Sequence, residues 1–353
     1  MQIVKAITFS LTAFLLAAGS VQAAESADLD NVLLAQLMQI ERADVYKLES
    51  VDAPTVIESK SMKKSGNTGS PLDVTPIISW VDSKVKVKAV LVCVHGLGLQ
   101  KASYTPFGER MSKEGYAVYA MDVRGFGEFQ QLPGDRHCDF KKCLEDVCQG
   151  LQVARQLHPG VPVLILGESM GGAIAMRVTE EHPELIDGLI SSVPGADRQK
   201  QLQSALQVGL QIITHGLHSN VNVGKSVVAQ STKKEELAKE WSQDKLARFE
   251  LTPLELIQFQ KFMETNKKNA DKITKTPVLM VQGKKDRLVK QEDTDEHLST
   301  FSRIKTEDKE LIMVANAEHL IFEEGQFDDD DIKVVSAWID DHSGKTLSAG
   351  SGK

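Results

Sequence analysis

The residues with the clearest chemical potential are Ser169, Asp286 and His319, in that chain order. A serine hydroxyl at its free pKa is a poor nucleophile. It needs a base to take its proton and an acid to orient that base. Ser169 lies in Gly167-Glu168-Ser169-Met170-Gly171-Gly172, directly after the apolar run VPVLIL and before a helix-like stretch. A G-x-S-x-G pattern recurs by chance, but at a strand-to-helix turn it lifts the hydroxyl above the sheet edge. The flanking glycines let the chain turn without striking neighbouring strands. The helix N-terminus favours negative charge nearby. Asp286 follows the run TPVLMVQ in Gly283-Lys284-Lys285-Asp286, and His319 follows ELIMV in Ala317-Glu318-His319. Glu318 is badly placed to reach behind the imidazole, and Asp293 and Asp295 fall in what reads as the next helix. A second turn, His95-Gly96-Leu97-Gly98, follows AVLVCV. The backbone amides of Leu97 and Met170 are the candidates to hold an oxyanion. His95 precedes the nucleophile at a strand end and reads as a group fixing its loop.

These residues need a frame that brings strand ends together. Strands are expected at 75–82, 88–94, 116–121, 161–166, 185–191, 277–281 and 310–314, several of them continuously apolar, as in a parallel sheet covered on both faces. Helices are expected at 140–157, from Gly172 to about His182-Pro183, and at 331–340. At 140–157 apolar side chains recur near a 3.6 period. The alternation implies an α/β fold with a mainly parallel, doubly wound sheet, and open sheets of this kind place their sites at strand C-terminal ends. The core is expected at 75–194 and 273–341.

Between about 195 and 272 the alternation fails, and this stretch reads as an inserted helical cap. Leu202, Leu206, Leu210, Ile213 and Leu217 recur at three- and four-residue steps. Such a stripe either packs on the core or lines an acyl channel, which makes Leu210 and Ile213 the candidate substrate-binding residues. Asp328–Asp331 precedes a helix and complements its dipole. No spaced ligand pattern for a metal is present. Four cysteines occur, Cys93, Cys138, Cys143 and Cys148. Five residues of helix rise about 7.5 Å, too far for Cys143 to bridge Cys148, so only a Cys138–Cys143 disulfide stays open.

The N-terminus carries Lys5, an apolar run too short to span a bilayer, and Val21-Gln22-Ala23. That is the pattern of a signal peptide over 1–23 cleaved after Ala23, which implies a secreted or periplasmic protein. An extension at 24–74 holds a short helix near 29–40, and a polar Gly/Ser-rich tail occupies 342–353. Acidic residues (49) outnumber basic ones (41) over 353 residues, giving a formal net charge of −8 and no electrostatic basis for a nucleic-acid partner. A local apolar patch could still touch a lipid surface transiently.

The stretches VLVCVHGLG (ending at Gly98), AMDVRGFGEF (120–129), LGESMGGA (166–173), TPVLMVQGKKDRLV (276–289) and ANAEHLIF (315–322) resemble the monoacylglycerol lipase and lysophospholipase group of the α/β-hydrolase family. The resemblance spans about Thr75 to Asp340. It implies Ser169 as nucleophile, Asp286 as acid, His319 as base, and Leu97 with Met170 as oxyanion donors. It further implies a single-chain lipid ester as substrate, with no cofactor. One departure is Phe129, where the family usually has Ser. A thioesterase, an amidase or a small-ester carboxylesterase stays open on the same residues, as does a binding protein that has lost catalysis. Oligomeric state is not legible.

Overall fold

The computed structural model describes residues 75–194, 220–286 and 300–343, apart from 133, 225–227, 229–230 and 324. They belong to one compact unit of the chain, 56–199 with 217–353. The expected signal peptide, the 24–74 extension, the 202–217 stripe with Leu210 and Ile213, Asp293, Asp295 and most of the tail lie outside the described residues.

Strands β1 (Ile77–Trp80), β2 (Ala89–Val94) and β3 (Tyr116–Met121) open the sheet, with helix α1 (Thr105–Lys113) between the last two. Helix α2 (Phe140–Leu157), β4 (Val163–Glu168), α3 (Met170–Glu181) and β5 (Gly188–Ser192) follow in strict alternation. Further along come β6 (Val221–Asn222), α4 (Glu235–Gln243), β7 (Glu250–Leu251), α5 (Pro253–Met263), α6 (Asn266–Ala270), β8 (Val278–Gly283), β9 (Lys309–Val314) and α7 (Asp329–Ser343). Seven strands form one sheet in the order β1-β3-β2-β4-β5-β8-β9, parallel except for β1, which runs antiparallel to β3.

Side-chain alternation explains the two layers. On β2, Val90, Val92 and Val94 face one core with Val147 and Leu151 of α2 and Ile174 of α3. Leu91 and Cys93 face the other, with Phe107 and Met111 of α1 and Val335 and Trp338 of α7. Every residue of β2 is buried, which accounts for its unbroken apolar sequence. The chain order reverses between β3 and β4, on either side of β2, and this switch opens the crevice at the strand C-terminal ends where such sheets bind ligands.

Three local expectations differ from the structure. The stretch between β5 and β8 is not wholly helical, because β6 and β7 pair antiparallel. Two-residue strands carry no period to read. Its final helices also serve the core, since Phe259 and Met263 of α5 and Ala270 of α6 pack with α2 and α3. The last helix runs through His342 and Ser343, into the expected tail. The His342 ring stacks on Trp338 at 4.2 Å and its Nε2 lies 2.9 Å from Asp308 Oδ1, which holds the final turn. At the other end of α7, Asp328 Oδ1 accepts the amides of Asp330 and Asp331, both at 2.9 Å, as a helix cap. All four cysteines are buried free thiols, so Cys138 and Cys143 are unbridged.

A buried ion pair locks the turn after β3 to α2. Arg124 donates from Nε to Asp146 Oδ2 at 2.7 Å and from Nη2 to Oδ1 at 3.0 Å, while Nη1 meets Asp135. Its guanidinium lies 4.7 Å from the Phe129 ring centre, so the departure at Phe129 is a buried face for this cation. Asp146→Ala removes the two-pronged contact and leaves Asp135 to compensate the guanidinium, so it is expected to destabilise the fold by about 1.5–3 kcal/mol, read as a drop in urea midpoint.

Candidate active site

Ser169 sits between β4 and α3 with φ +52° and ψ −111°, a region a non-glycine residue rarely adopts. The turn is set by close backbone approach. A Cβ on Gly167 would come 2.2 Å from the Gly171 carbonyl oxygen, and one on Gly171 would come 1.9 Å from that of Val94. Only glycine fits either place. The second contact presses the start of α3 against the end of β2, beside the turn that carries Leu97. The Ser169 amide donates to the Ser192 carbonyl at 3.0 Å, fixing the turn to the end of β5.

The three candidate side chains meet although they are far apart in sequence. His319 Nε2 lies 2.9 Å from Ser169 Oγ, and His319 Nδ1 lies 2.8 Å from Asp286 Oδ2. With the proton on Nδ1 donated to the carboxylate, Nε2 is left as the acceptor for the serine hydroxyl. All three are buried, Ser169 at 7% exposure, His319 at 3% and Asp286 at 1%. Leu97 occupies the turn after β2. Met170 is the first residue of α3, where an amide has no acceptor within its own helix. Glu318 is turned elsewhere, its Oε2 accepting the Lys233 amide at 2.7 Å.

His95 is fully buried and holds its loop. Its Nδ1 lies 2.8 Å from the Gly96 carbonyl oxygen, and its Nε2 accepts the Val123 amide at 2.9 Å. Burial lowers its pKa, which keeps the ring neutral and its Nε2 free to accept.

Two residues escape the sequence reading. Gln282, at the end of β8, donates Nε2 to Asp286 Oδ2 at 3.0 Å and steadies the acid. Its signal is an amide inside an otherwise apolar buried strand. Glu168, the unspecified position of G-x-S-x-G, is fully buried. Burial raises its pKa, opposed by four hydrogen bonds from Ser192, Glu323, Ile321 and Phe322. No spacing rule marks that position.

Val228, Leu237, Trp241 and Phe249 pack beside this site. Leu99 and Leu320, close to Leu97 and His319 in sequence, pack with Trp241, Leu237 and Phe249. The Arg248 amide donates to the Gly98 carbonyl at 2.8 Å. Trp241, Phe249, Arg248, Asp244 and Asn222 line a cavity of about 470 Å³.

A family model described as serine aminopeptidase, S33, matches residues 85–326. Mouse monoglyceride lipase is 26% identical over 272 residues, covering 75% of this chain and 86% of its own length. A phospholipase of Bacillus subtilis is 26% identical over 254 residues, covering 71% and 95%. Among solved structures, the monoacylglycerol lipase of Paleococcus ferrophilus superposes with a TM-score of 0.60 at 25% identity over 76% of this chain and 99% of that one. A soluble variant of the Saccharomyces cerevisiae monoglyceride lipase, bound to a substrate analogue, gives 0.64 at 17% identity over 76% and 91%. With its strained serine turn at the switch point of a doubly wound sheet, the chain belongs to the serine aminopeptidase S33 family of α/β hydrolases, as a serine hydrolase similar to monoacylglycerol lipases.

Proposed function

We propose that this serine ester hydrolase is exported and cleaves single-chain lipid esters, a monoglyceride or a lysophospholipid, through Ser169, His319 and Asp286. The observation that carries the reading is the continuous path from Ser169 Oγ through the imidazole to Asp286, with contacts of 2.9 and 2.8 Å. Ser169 Oγ attacks the acyl carbonyl carbon while His319 Nε2 takes its proton. The carbonyl oxygen becomes an oxyanion, received by the Leu97 and Met170 amides. Collapse expels the alcohol, which leaves with the proton from Nε2. Water, deprotonated by the same nitrogen, then attacks the acyl-enzyme and releases the carboxylic acid. Asp286 keeps the imidazole in one tautomer and stabilises its cation. The lipid preference draws on the monoglyceride lipases and the phospholipase to which the chain is similar.

Ser169→Ala is expected to lower kcat by about 10⁶. Asp286→Asn should leave the fold intact and lower it by about 10⁴, through the wrong tautomer. Near wild-type turnover of Ser169→Ala would remove the reading.

Each acyl methylene buried in the site contributes about 0.8 kcal/mol, so kcat/KM is expected to rise from two-carbon to about eight-carbon glycerol and nitrophenyl esters. A flat profile, or faster cleavage of matched thioesters or amides, would displace the lipid-ester assignment.

Export is tested by sequencing the N-terminus of the native protein, expected near Ala24. Recovery of Met1 would exclude cleavage.

A further inference from the structure

Glu168 precedes the reactive serine in sequence, yet its side chain reaches away from the serine turn into the loop that carries His319. Oε1 accepts the Ile321 amide at 2.9 Å and the Ser192 hydroxyl at 2.6 Å. Oε2 accepts the amides of Phe322 at 2.9 Å and Glu323 at 2.7 Å. Three consecutive backbone N–H groups thus converge on one carboxylate, the concave arrangement that selects an anion. The first of them lies two residues beyond His319. The loop is joined in turn to the oxyanion side, because Glu323 Oε1 accepts the Gly96 amide at 2.6 Å and its Oε2 accepts the Ser103 hydroxyl at 3.1 Å.

The linkage runs from the nucleophile turn to the base loop to the oxyanion turn. Ser192 holds it from beneath, its carbonyl on the Ser169 amide and its hydroxyl on Glu168. An ordinary buried filler at 168 would need no charge and no such set of donors.

From this geometry we infer that Glu168 is a positioning residue for catalysis: its carboxylate fixes the His319 loop against the serine turn and so sets the Nε2 to Oγ contact. The inference rests on the proposed Ser169–His319 chemistry. It does not require Glu168 to touch substrate or to move a proton. Both acylation and deacylation pass through His319 Nε2, so a displaced loop slows both while leaving substrate binding nearly unchanged.

Glu168→Gln tests it with volume kept. In either orientation the glutamine amide directs N–H groups at one or more of the backbone N–H groups that now converge on a carboxylate. For folded Glu168→Gln protein, kcat on a soluble short-chain ester is expected to fall about 10²-fold, the cost of a misplacement on the order of 1 Å. KM should stay within about threefold, since the loss falls on the transition state rather than on binding. Labelling of Ser169 by a fluorophosphonate should slow in parallel with kcat. Ser192→Ala removes one of the four donors and is expected to lose about fivefold in kcat by the same misplacement. This second variant becomes the deciding measurement if Glu168→Gln fails to fold. A folded Glu168→Gln enzyme with wild-type kcat and a lowered melting temperature would overturn the inference, because the carboxylate would then serve stability alone. Ser192→Ala at wild-type kcat would do the same where the first variant does not fold. Wild-type enzyme that neither turns over esters nor takes the label would instead strike at the proposed function.

Discussion

The close approach of two backbones, the start of α3 and the end of β2, is the constraint on which the rest of the site depends. No side chain fits between them, as the 1.9 Å clash of a Cβ on Gly171 makes plain. That contact sets the serine turn directly above the end of the neighbouring strand and forces the chain through a backbone region costly for serine. Strain of this size persists only where packing over-determines it. Here β2 and β4 are buried along their full length, so the turn has no room to relax.

Around that point the protein uses buried anions as fasteners for loops. Asp286 holds an imidazole, Glu168 holds three amides and a hydroxyl, Glu323 holds an amide and a hydroxyl, and Asp146 holds a guanidinium. Each carboxylate has lost water and is compensated by aimed donors, the condition under which burying a charge is tolerated. These loops come from segments distant in sequence, so hydrogen bonds to fixed donors supply an alignment that apolar packing alone leaves loose.

Much of this was legible in the residues. Continuous apolar runs marked β2, β3 and β8, and the helix at 140–157 has the expected ends, opening on Asp139, whose carboxylate accepts the amides of Lys141 and Lys142. The order Ser169, Asp286, His319, each after the C-terminal end of a strand, anticipated the contacts found. What stayed hidden was set by tertiary contact. Glu168 occupies a position that any residue can take in the motif, and its three amide partners lie more than 150 residues away. Phe129 read as a departure near the site, yet it packs against Arg124. The two-residue strands β6 and β7 exist only because each meets the other. The double duty of α5 and α6 was hidden likewise, since an amphipathic helix does not say which surface its apolar side will cover.

The cysteines carry a consequence for the life of the molecule. Burial pushes the thiols of Cys93 and Cys143 well up and that of Cys148 up to about 12. At neutral pH almost none of these sulfurs is a thiolate, the only form that attacks a disulfide. A chain that crosses into an oxidising compartment would carry thiols there that, once folded, are slow to exchange. For these three thiols, mixed disulfides and scrambling would then be confined to the interval before β2 and α2 close over them, so that the speed of core closure, rather than any oxidant, would be their safeguard.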